Sequence, residues 1–141
     1  MDSVRVFLDT NILLDVIESR PGLVEESTAV LTLAENIHGE LHLAWHSLAT
    51  TYYLIRRGRS ESAAMKEIDQ ILSWARVAPV DSRSAARARN LNFPDFEDAM
   101  QCVCAESCLA DVIVTRNTKD FARSPIPVMS PAEFLVRYET A

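Results

Sequence analysis

Three aspartates far apart in the sequence have the placement expected of a divalent-cation site. Asp9 ends the apolar run VRVFL, Asp98 lies in the first turn of a predicted helix, and Asp120 follows the apolar run DVIVT by five residues. A carboxylate beside a hydrophobic core is costly unless a partner offsets its desolvation, and a hard cation bound through oxygen is a common partner. We therefore predict that the three acids share one site.

Two of these acids, and a neighbour, also have a purely structural interpretation. Asp9 precedes a predicted helix, although Thr10 or Asn11 would cap that helix equally well. Asp95 and Asp98 form a D-x-x-D pattern ahead of an apolar run, which is how a helix cap and a first-turn acid look. For Asp95 alone, capping is the better interpretation, whereas we expect Asp98 to face the cation.

The remaining acids near these motifs receive simpler interpretations. Asp120 lies within NTKDF and could be an ordinary turn residue, so its role depends on its partnership with Asp9. We expect Glu97 to point away from the site. Asp15 and Glu18 are interpreted as solvated residues of the first helix.

The elements that must position these acids alternate along the chain. Apolar and β-branched runs predict strands at residues 4–8, 40–45, 77–80, 111–115 and 126–129. Helical periodicity and cap residues predict helices at 11–19, 23–38, 47–57, 60–74, 81–91, from about 95 onward and at 130–139. This alternation predicts a three-layer α/β/α sandwich with a central, mainly parallel five-stranded sheet, in one domain spanning residues 1–141. In such sheets, ligands bind beyond the carboxyl ends of the strands, where the acids are predicted to lie.

Composition limits the possible classes of protein. The 141 residues are 48% hydrophobic and carry a net charge of −6, which argues against a broad basic surface for nucleic acid but not against a local one. No uncharged apolar run is long enough to span a bilayer, and the first ten residues lack the features of an export signal, so we expect a cytoplasmic protein. The three cysteines, at offsets of two and four, are expected to be reduced core thiols. A metal site built from the three histidines is disfavoured because Gly39 interrupts their four-residue spacing.

Other phosphate and ester chemistries lack their signatures. A phosphorylated-aspartate phosphatase would need D-x-D after the first strand, and the chain has D-T-N. Its three glycines form no phosphate-binding loop, and it contains no G-x-S-x-G.

The motifs together resemble those of the PIN domain family, particularly its VapC-like ribonuclease toxins. The segments that carry the resemblance are VFLDTNILLDV, FPDFEDAMQ, DVIVTRNTKDF and PIPVMSPAEFL. Order and spacing match from residue 4 to about residue 136. The resemblance implies a Mg²⁺- or Mn²⁺-dependent ribonuclease whose catalytic acids correspond to Asp9, Asp98 and Asp120.

The resemblance also implies roles for neighbouring residues. Small polar side chains that orient the acids correspond to Thr10, Asn11, Thr115 and Asn117, and Thr115 or Arg116 is expected near the phosphate. Most members carry a glutamate in the helix after the second strand, where this chain has Thr50. Asp95 is therefore added to the predicted metal ligands as a source of the missing charge.

The resemblance further implies partners. These are an RNA substrate, an antitoxin protein that covers the acidic groove, and a second copy of the chain in a homodimer; no membrane is expected. Arg56, Arg57 and Arg59 are our predicted contacts to the RNA backbone, together with Arg116. The alternative function is a PIN-fold interaction module whose catalysis is weakened by the missing acid at Thr50.

Overall fold

The computed structural model describes residues 3–139, and its centre is a five-stranded sheet. The strands are β1 (Arg5–Leu8), β2 (Glu40–Leu43), β3 (Ala75–Val77), β4 (Val112–Val114) and β5 (Val128–Met129). Their spatial order is β3-β2-β1-β4-β5, and all four pairings are parallel. The predicted three-layer sandwich is confirmed, with a fully parallel sheet. The ends of the predicted domain, residues 1, 2, 140 and 141, lie outside the described residues.

Helices cover both faces of this sheet. Within the described residues the α-helices are α1 (Thr10–Ile17), α2 (Val24–Asn36), α3 (Trp45–Arg56), α4 (Glu61–Trp74), α5 (Ser82–Asn90), α6 (Phe96–Ser107) and α7 (Pro131–Glu139). A 3₁₀ helix spans Thr118–Phe121 after β4. Among residues 3–139, no helix combines the length and the apolarity needed to cross a bilayer.

The side chains of the strands pack into two separate cores, one on each face of the sheet, because successive residues of a strand point to opposite faces. One core joins β1, β2 and β4 to α1, α2, α4 and α7 and contains Val6, Leu8, Ile12, Leu13, Val30, Leu41, Leu43, Ile71, Val112, Val114 and Phe134. The other core joins the opposite face to α6 and the 3₁₀ helix and contains Phe7, Cys102, Cys104, Ala105, Cys108, Ile113 and Phe121. The predicted reduced core thiols are confirmed, since all three cysteines are free and buried.

Several helix starts follow the predicted capping chemistry. Ser60 accepts a hydrogen bond from the Ala63 amide at the start of α4. Asp81 begins α5 with a capping box. The Ser130 hydroxyl accepts from the Glu133 amide, and the Glu133 carboxylate accepts from the Ser130 amide, so α7 begins as predicted.

The prediction of a third strand is confirmed, but its predicted bounds, residues 77–80, were wrong. β3 begins at Ala75, directly after α4, and Leu41 and Leu43 of β2 pair with Ala75 and Val77. Pro79 explains the early end of the strand, since proline has no amide hydrogen for the ladder. β2 likewise ends at Leu43, and α3 begins two residues earlier than predicted.

The end of α2 also differs from the prediction, which assigned it to Gly39. The left-handed residue is His38, with φ of 56°, and not the glycine. Gly39 instead lies so close to Val4, the residue before β1, that a β-carbon would be 2.9 Å from Val4 Cγ1 and 3.1 Å from the Val4 carbonyl oxygen. The glycine is needed for this close approach of the two backbone segments.

Candidate metal centre

The carboxyl ends of β1 and β4 bring two sequence-distant segments together. Leu8 of β1 pairs with Val114 of β4, and the Asp9 amide donates to the Val114 carbonyl at 3.0 Å. Asp9 and Thr115 therefore follow directly on neighbouring strands at one edge of the sheet. Asp120 lies a few residues later in the 3₁₀ helix.

Asp9 is a buried carboxylate held by two hydrogen bonds. It is 4% exposed. Its Oδ1 accepts from the Thr10 amide at 2.7 Å, which caps α1, and its Oδ2 accepts from the Thr115 hydroxyl at 2.7 Å. Burial raises the pKa of Asp9 to about 6, although the hydrogen bond from Thr115 opposes this rise.

The start of α6 collects three more carboxylates. Asp95 is the N-cap, and its Oδ1 accepts from the Asp98 amide at 3.1 Å, as its capping pattern predicts. Asp95, Glu97 and Asp98 each present a carboxylate oxygen, and these three oxygens lie within 4.8 Å of one another.

Asp98 experiences the charge of four other acids in this region. Burial is the largest cause that raises its pKa, to about 7, and the negative charges of Asp9, Asp95, Glu97 and Asp120 raise it further. The three predicted acids are thus brought to one edge of the sheet, where Asp98 is close enough to respond to the other two.

The expectation that Glu97 points away from this group was wrong. Its Oε2 accepts from His46 Nε2 at 2.7 Å and from Gln101 Nε2 at 2.6 Å. Burial raises the pKa of Glu97, but the hydrogen bonds from His46 and Gln101 outweigh burial and lower it overall. The four-residue spacing of Glu97 and Gln101 was a usable signal. Glu97 and His46 are 51 residues apart in the sequence, and no sequence signal indicated their contact.

The predicted small polar residues near Asp9 differ in their hydrogen-bond partners. The Thr115 hydroxyl donates to Asp9 and accepts from the Asn117 amide at 3.0 Å. Thr10 Oγ1 accepts from Gln101 Nε2 at 2.7 Å. The Asn11 Oδ1 is buried and has no hydrogen-bond partner among residues 3–139.

The interpretation of Asp15 as a solvated residue was wrong. Asp15 is fully buried, and its carboxylate accepts from Arg116 Nε at 2.9 Å and from Arg116 Nη2 at 3.0 Å. The Ser27 hydroxyl donates to the same carboxylate at 2.8 Å. Asp15 faces inward because α1 packs its buried side toward α2 and toward the loop after β4.

Three of the four arginines predicted to contact RNA lie away from the acids, at the far end of α3. Arg56, Arg57 and Arg59 are exposed at the end of α3, whose start faces the acids, and Arg56 pairs with Glu61 at 3.3 Å. With 1.5 Å of rise per residue, Arg56 lies about 16 Å along the helix axis from Trp45. Their contact with RNA remains a prediction, as does that of Arg116.

The donor set fits a hard divalent cation. The groups that converge are carboxylate oxygens, the ligands that Mg²⁺ and Mn²⁺ prefer. One basic side chain contacts this group of acids, and a second lies near it. His46 is bonded to Glu97, and Arg116, whose charge lowers the pKa of Asp9, is bonded to Asp15. Burial and then the neighbouring negative charges raise the pKa of Asp98, and a bound cation would neutralise those charges.

Comparison with known proteins identifies the family of the chain. Residues 5–119 match the family model described as PIN domain. The chain is 27% identical to Ribonuclease VapC1 of Aquifex aeolicus (strain VF5), with 99% of each sequence covered. It resembles in fold VapBC2 from Rickettsia felis bound to a promoter DNA fragment, with a TM-score of 0.71, 18% identity and coverage of 90% of this chain and 98% of that one. A toxin-antitoxin complex from Klebsiella pneumoniae gives a TM-score of 0.69 at 23% identity, with 89% and 97% covered. The family match spans most of the sequence, and the chain belongs to the PIN domain family.

Proposed function

We propose that this protein is a divalent-metal-dependent endoribonuclease and the toxin of a type II toxin-antitoxin pair. The proposal rests on the Asp9 carboxylate, held at the end of β1 by the Thr115 hydroxyl, and on the cluster of carboxylates at the start of α6. Asp98 of that cluster lies within electrostatic range of Asp9 and Asp120. The similarity to Ribonuclease VapC1 supports RNA as the substrate. The cofactor is Mg²⁺ or Mn²⁺.

The residues divide the work of this site. Asp9, Asp95, Asp98 and Asp120 hold the cation, which when bound supplies an activated water and positive charge for the scissile phosphate. Thr115 fixes one oxygen of Asp9 through its hydroxyl. No protein nucleophile is required, since water attacks the phosphate.

The polar residues around the acids orient them. Thr10 and Asn11 follow Asp9 on α1, and Asn117 fixes the Thr115 hydroxyl through its amide. Thr115 or Arg116 contacts the phosphate. Loss of such neighbours typically costs about 10-fold to 100-fold in metal affinity or activity.

The proposed macromolecular partners are an antitoxin and a second copy of the chain. Solved relatives in fold include VapBC and other toxin-antitoxin complexes, which supports an antitoxin. Arg56, Arg57 and Arg59 contact the RNA backbone at the far end of α3. The protein acts in the cytoplasm.

Cleavage of a panel of tRNA and mRNA, with and without chelator, tests the proposal. Wild-type protein cleaves with Mg²⁺ or Mn²⁺ and stops when EDTA is added. Asp9→Asn and Asp98→Asn each remove a metal ligand and lower the cleavage rate more than about 100-fold. This exceeds the loss of up to about 100-fold that is typical when a residue that only orients a ligand is replaced. Glu35→Gln, the loss of an acid near the opposite edge of the sheet, leaves the rate unchanged.

The alternative, a weakened interaction module, has its own observation. Because position 50 is a threonine, it offers the site no carboxylate. Thr50 is exposed, and its hydroxyl donates to the His46 carbonyl of its own helix at 3.2 Å. A chain that folds, cleaves no RNA in the panel and binds Mn²⁺ no better than Asp9→Asn would favour the module.

A further inference from the structure

We propose that Glu97 is a direct ligand of the divalent cation and that His46 and Gln101 hold it in place. This inference rests on the proposed function and adds to it a residue outside the predicted ligand set. It also assigns a positioning role to two side chains, one from α3 and one from α6.

The geometry leaves one oxygen of Glu97 available. Both hydrogen bonds, from His46 and from Gln101, fall on Oε2. No hydrogen bond to Oε1 occurs among residues 3–139. A Glu97 oxygen also lies within 4.8 Å of oxygens of Asp95 and Asp98, a spacing that one or two cations can bridge.

Gln101 gives an independent indication of a bound group. Its side chain is fully buried, and its Nε2 donates to Glu97 at 2.6 Å and to Thr10 Oγ1 at 2.7 Å. The amide therefore ties Glu97 to the residue that follows Asp9. Its Oε1 is buried and unpartnered among the described residues, and a buried acceptor of this kind calls for a donor that those residues do not provide.

The sequence of α3 explains why a carboxylate is needed from α6. The helix reads WHSLATTYYLIR and contains no acid, yet its first turn lies at the carboxyl end of β2. Its contributions to this edge include His46, whose ring holds Glu97, a residue 51 positions later in the sequence. The acid beside α3 thus comes from α6 and is fixed by a base from α3.

Isothermal titration of the metal-free chain with Mn²⁺ tests the inference without relying on activity. Glu97→Gln keeps a hydrogen-bonding side chain but removes the charge, and we expect its Kd for Mn²⁺ to rise about tenfold or more. His46→Ala removes the group that holds Glu97, and we expect a smaller rise of at least about threefold. Glu35→Gln, the same chemical change on α2, leaves the Kd unchanged.

Thermal melts without metal accompany these titrations. Unchanged melting temperatures for Glu97→Gln and His46→Ala, together with weaker Mn²⁺ binding, support the inference. Wild-type affinity in Glu97→Gln, with Asp9→Asn binding weakly, would overturn this inference and leave the proposed function standing. Absence of Mn²⁺ binding by the wild-type chain would overturn both.

Discussion

The guanidinium of Arg116 donates two hydrogen bonds, of 2.9 and 3.0 Å, to the carboxylate of Asp15. Asp15 lies on α1 and is fully buried, whereas the Arg116 side chain is 29% exposed. The pair connects α1 to the loop that carries Thr115 and Asp120. The loop that supplies one side of the acidic edge is therefore anchored to the helix that follows Asp9.

Removing the charge of Asp15 is expected to destabilise the fold. Asp15→Asn leaves the Arg116 guanidinium beside a neutral amide, and breaking a buried ion pair costs about 3 kcal/mol. Urea unfolding should show a lower midpoint with an unchanged slope. Asp69→Asn, the same change at an exposed position of α4, should stay within about 0.5 kcal/mol of wild type. Equal midpoints for the two variants would contradict the prediction.

The Thr115 hydroxyl is expected to be needed for stability as well as for orientation. Thr115→Val keeps the side-chain shape but removes the donor to Asp9 and the acceptor for the Asn117 amide, at a cost of about 1 to 3 kcal/mol. Thr115→Ser keeps both hydrogen bonds and should lose less. Denaturant unfolding of the two variants measures the difference. A serine variant as unstable as the valine variant would assign the effect to the lost methyl group.

The metal-free protein is expected to lose stability as pH rises. The pKa values of Asp9 and Asp98 are raised from 3.8 to about 6 and about 7, so the native state binds more protons than the unfolded state between about pH 4 and pH 7. The contribution of these groups is therefore complete below pH 4 and is lost as pH passes through 6 to 7.

Melting curves at pH 5.5 and pH 8 in EDTA check this sign. The wild-type Tm should fall by about 4 °C more than that of the double variant Asp9→Asn, Asp98→Asn over the same interval. Mn²⁺ at pH 8 should recover the loss in the wild type alone. Parallel pH profiles for the two proteins would rule out the linkage.

The three cysteines are expected to be unreactive in the native protein. Cys102, Cys104 and Cys108 are at most 6% exposed, and burial raises the pKa of Cys104 and of Cys108 to about 11. Reaction of the native protein with a thiol reagent at pH 8 should be at least about 100-fold slower than in urea. In the native state the thiols are mostly protonated and the reagent cannot reach them. Rapid labelling of any one thiol without denaturant would contradict the assignment.

Much of the fold was predictable because strand runs and helix caps are local signals. Ser60, Asp81 and Ser130 each cap the helix that their neighbours predict. The third strand was misplaced because VAPV looks apolar in sequence, whereas its pairing with β2 ends at Val77. Strand ends of this kind are decided by a partner distant in sequence.

The candidate site was predictable only in part for the same reason. Asp9, Asp98 and Asp120 could be grouped because parallel strands present their carboxyl ends at one edge. Glu97 and Asp15 could not be interpreted correctly, since each is held by a residue on another element. The sequence contains no local indication of either His46–Glu97 or Arg116–Asp15.

The central position of β1 in the sheet affects how the chain is made. β1 is synthesised first, yet its neighbour β4 lies more than a hundred residues later, with Val6 opposite Val112. Translation must therefore reach β4 before the N-terminal strand can be flanked on both sides, and long-range parallel pairing of this kind is slow. A nascent polypeptide that has not reached β4 lacks Asp120 and the completed sheet edge, so the proposed cation site cannot assemble until most of the chain has been synthesised.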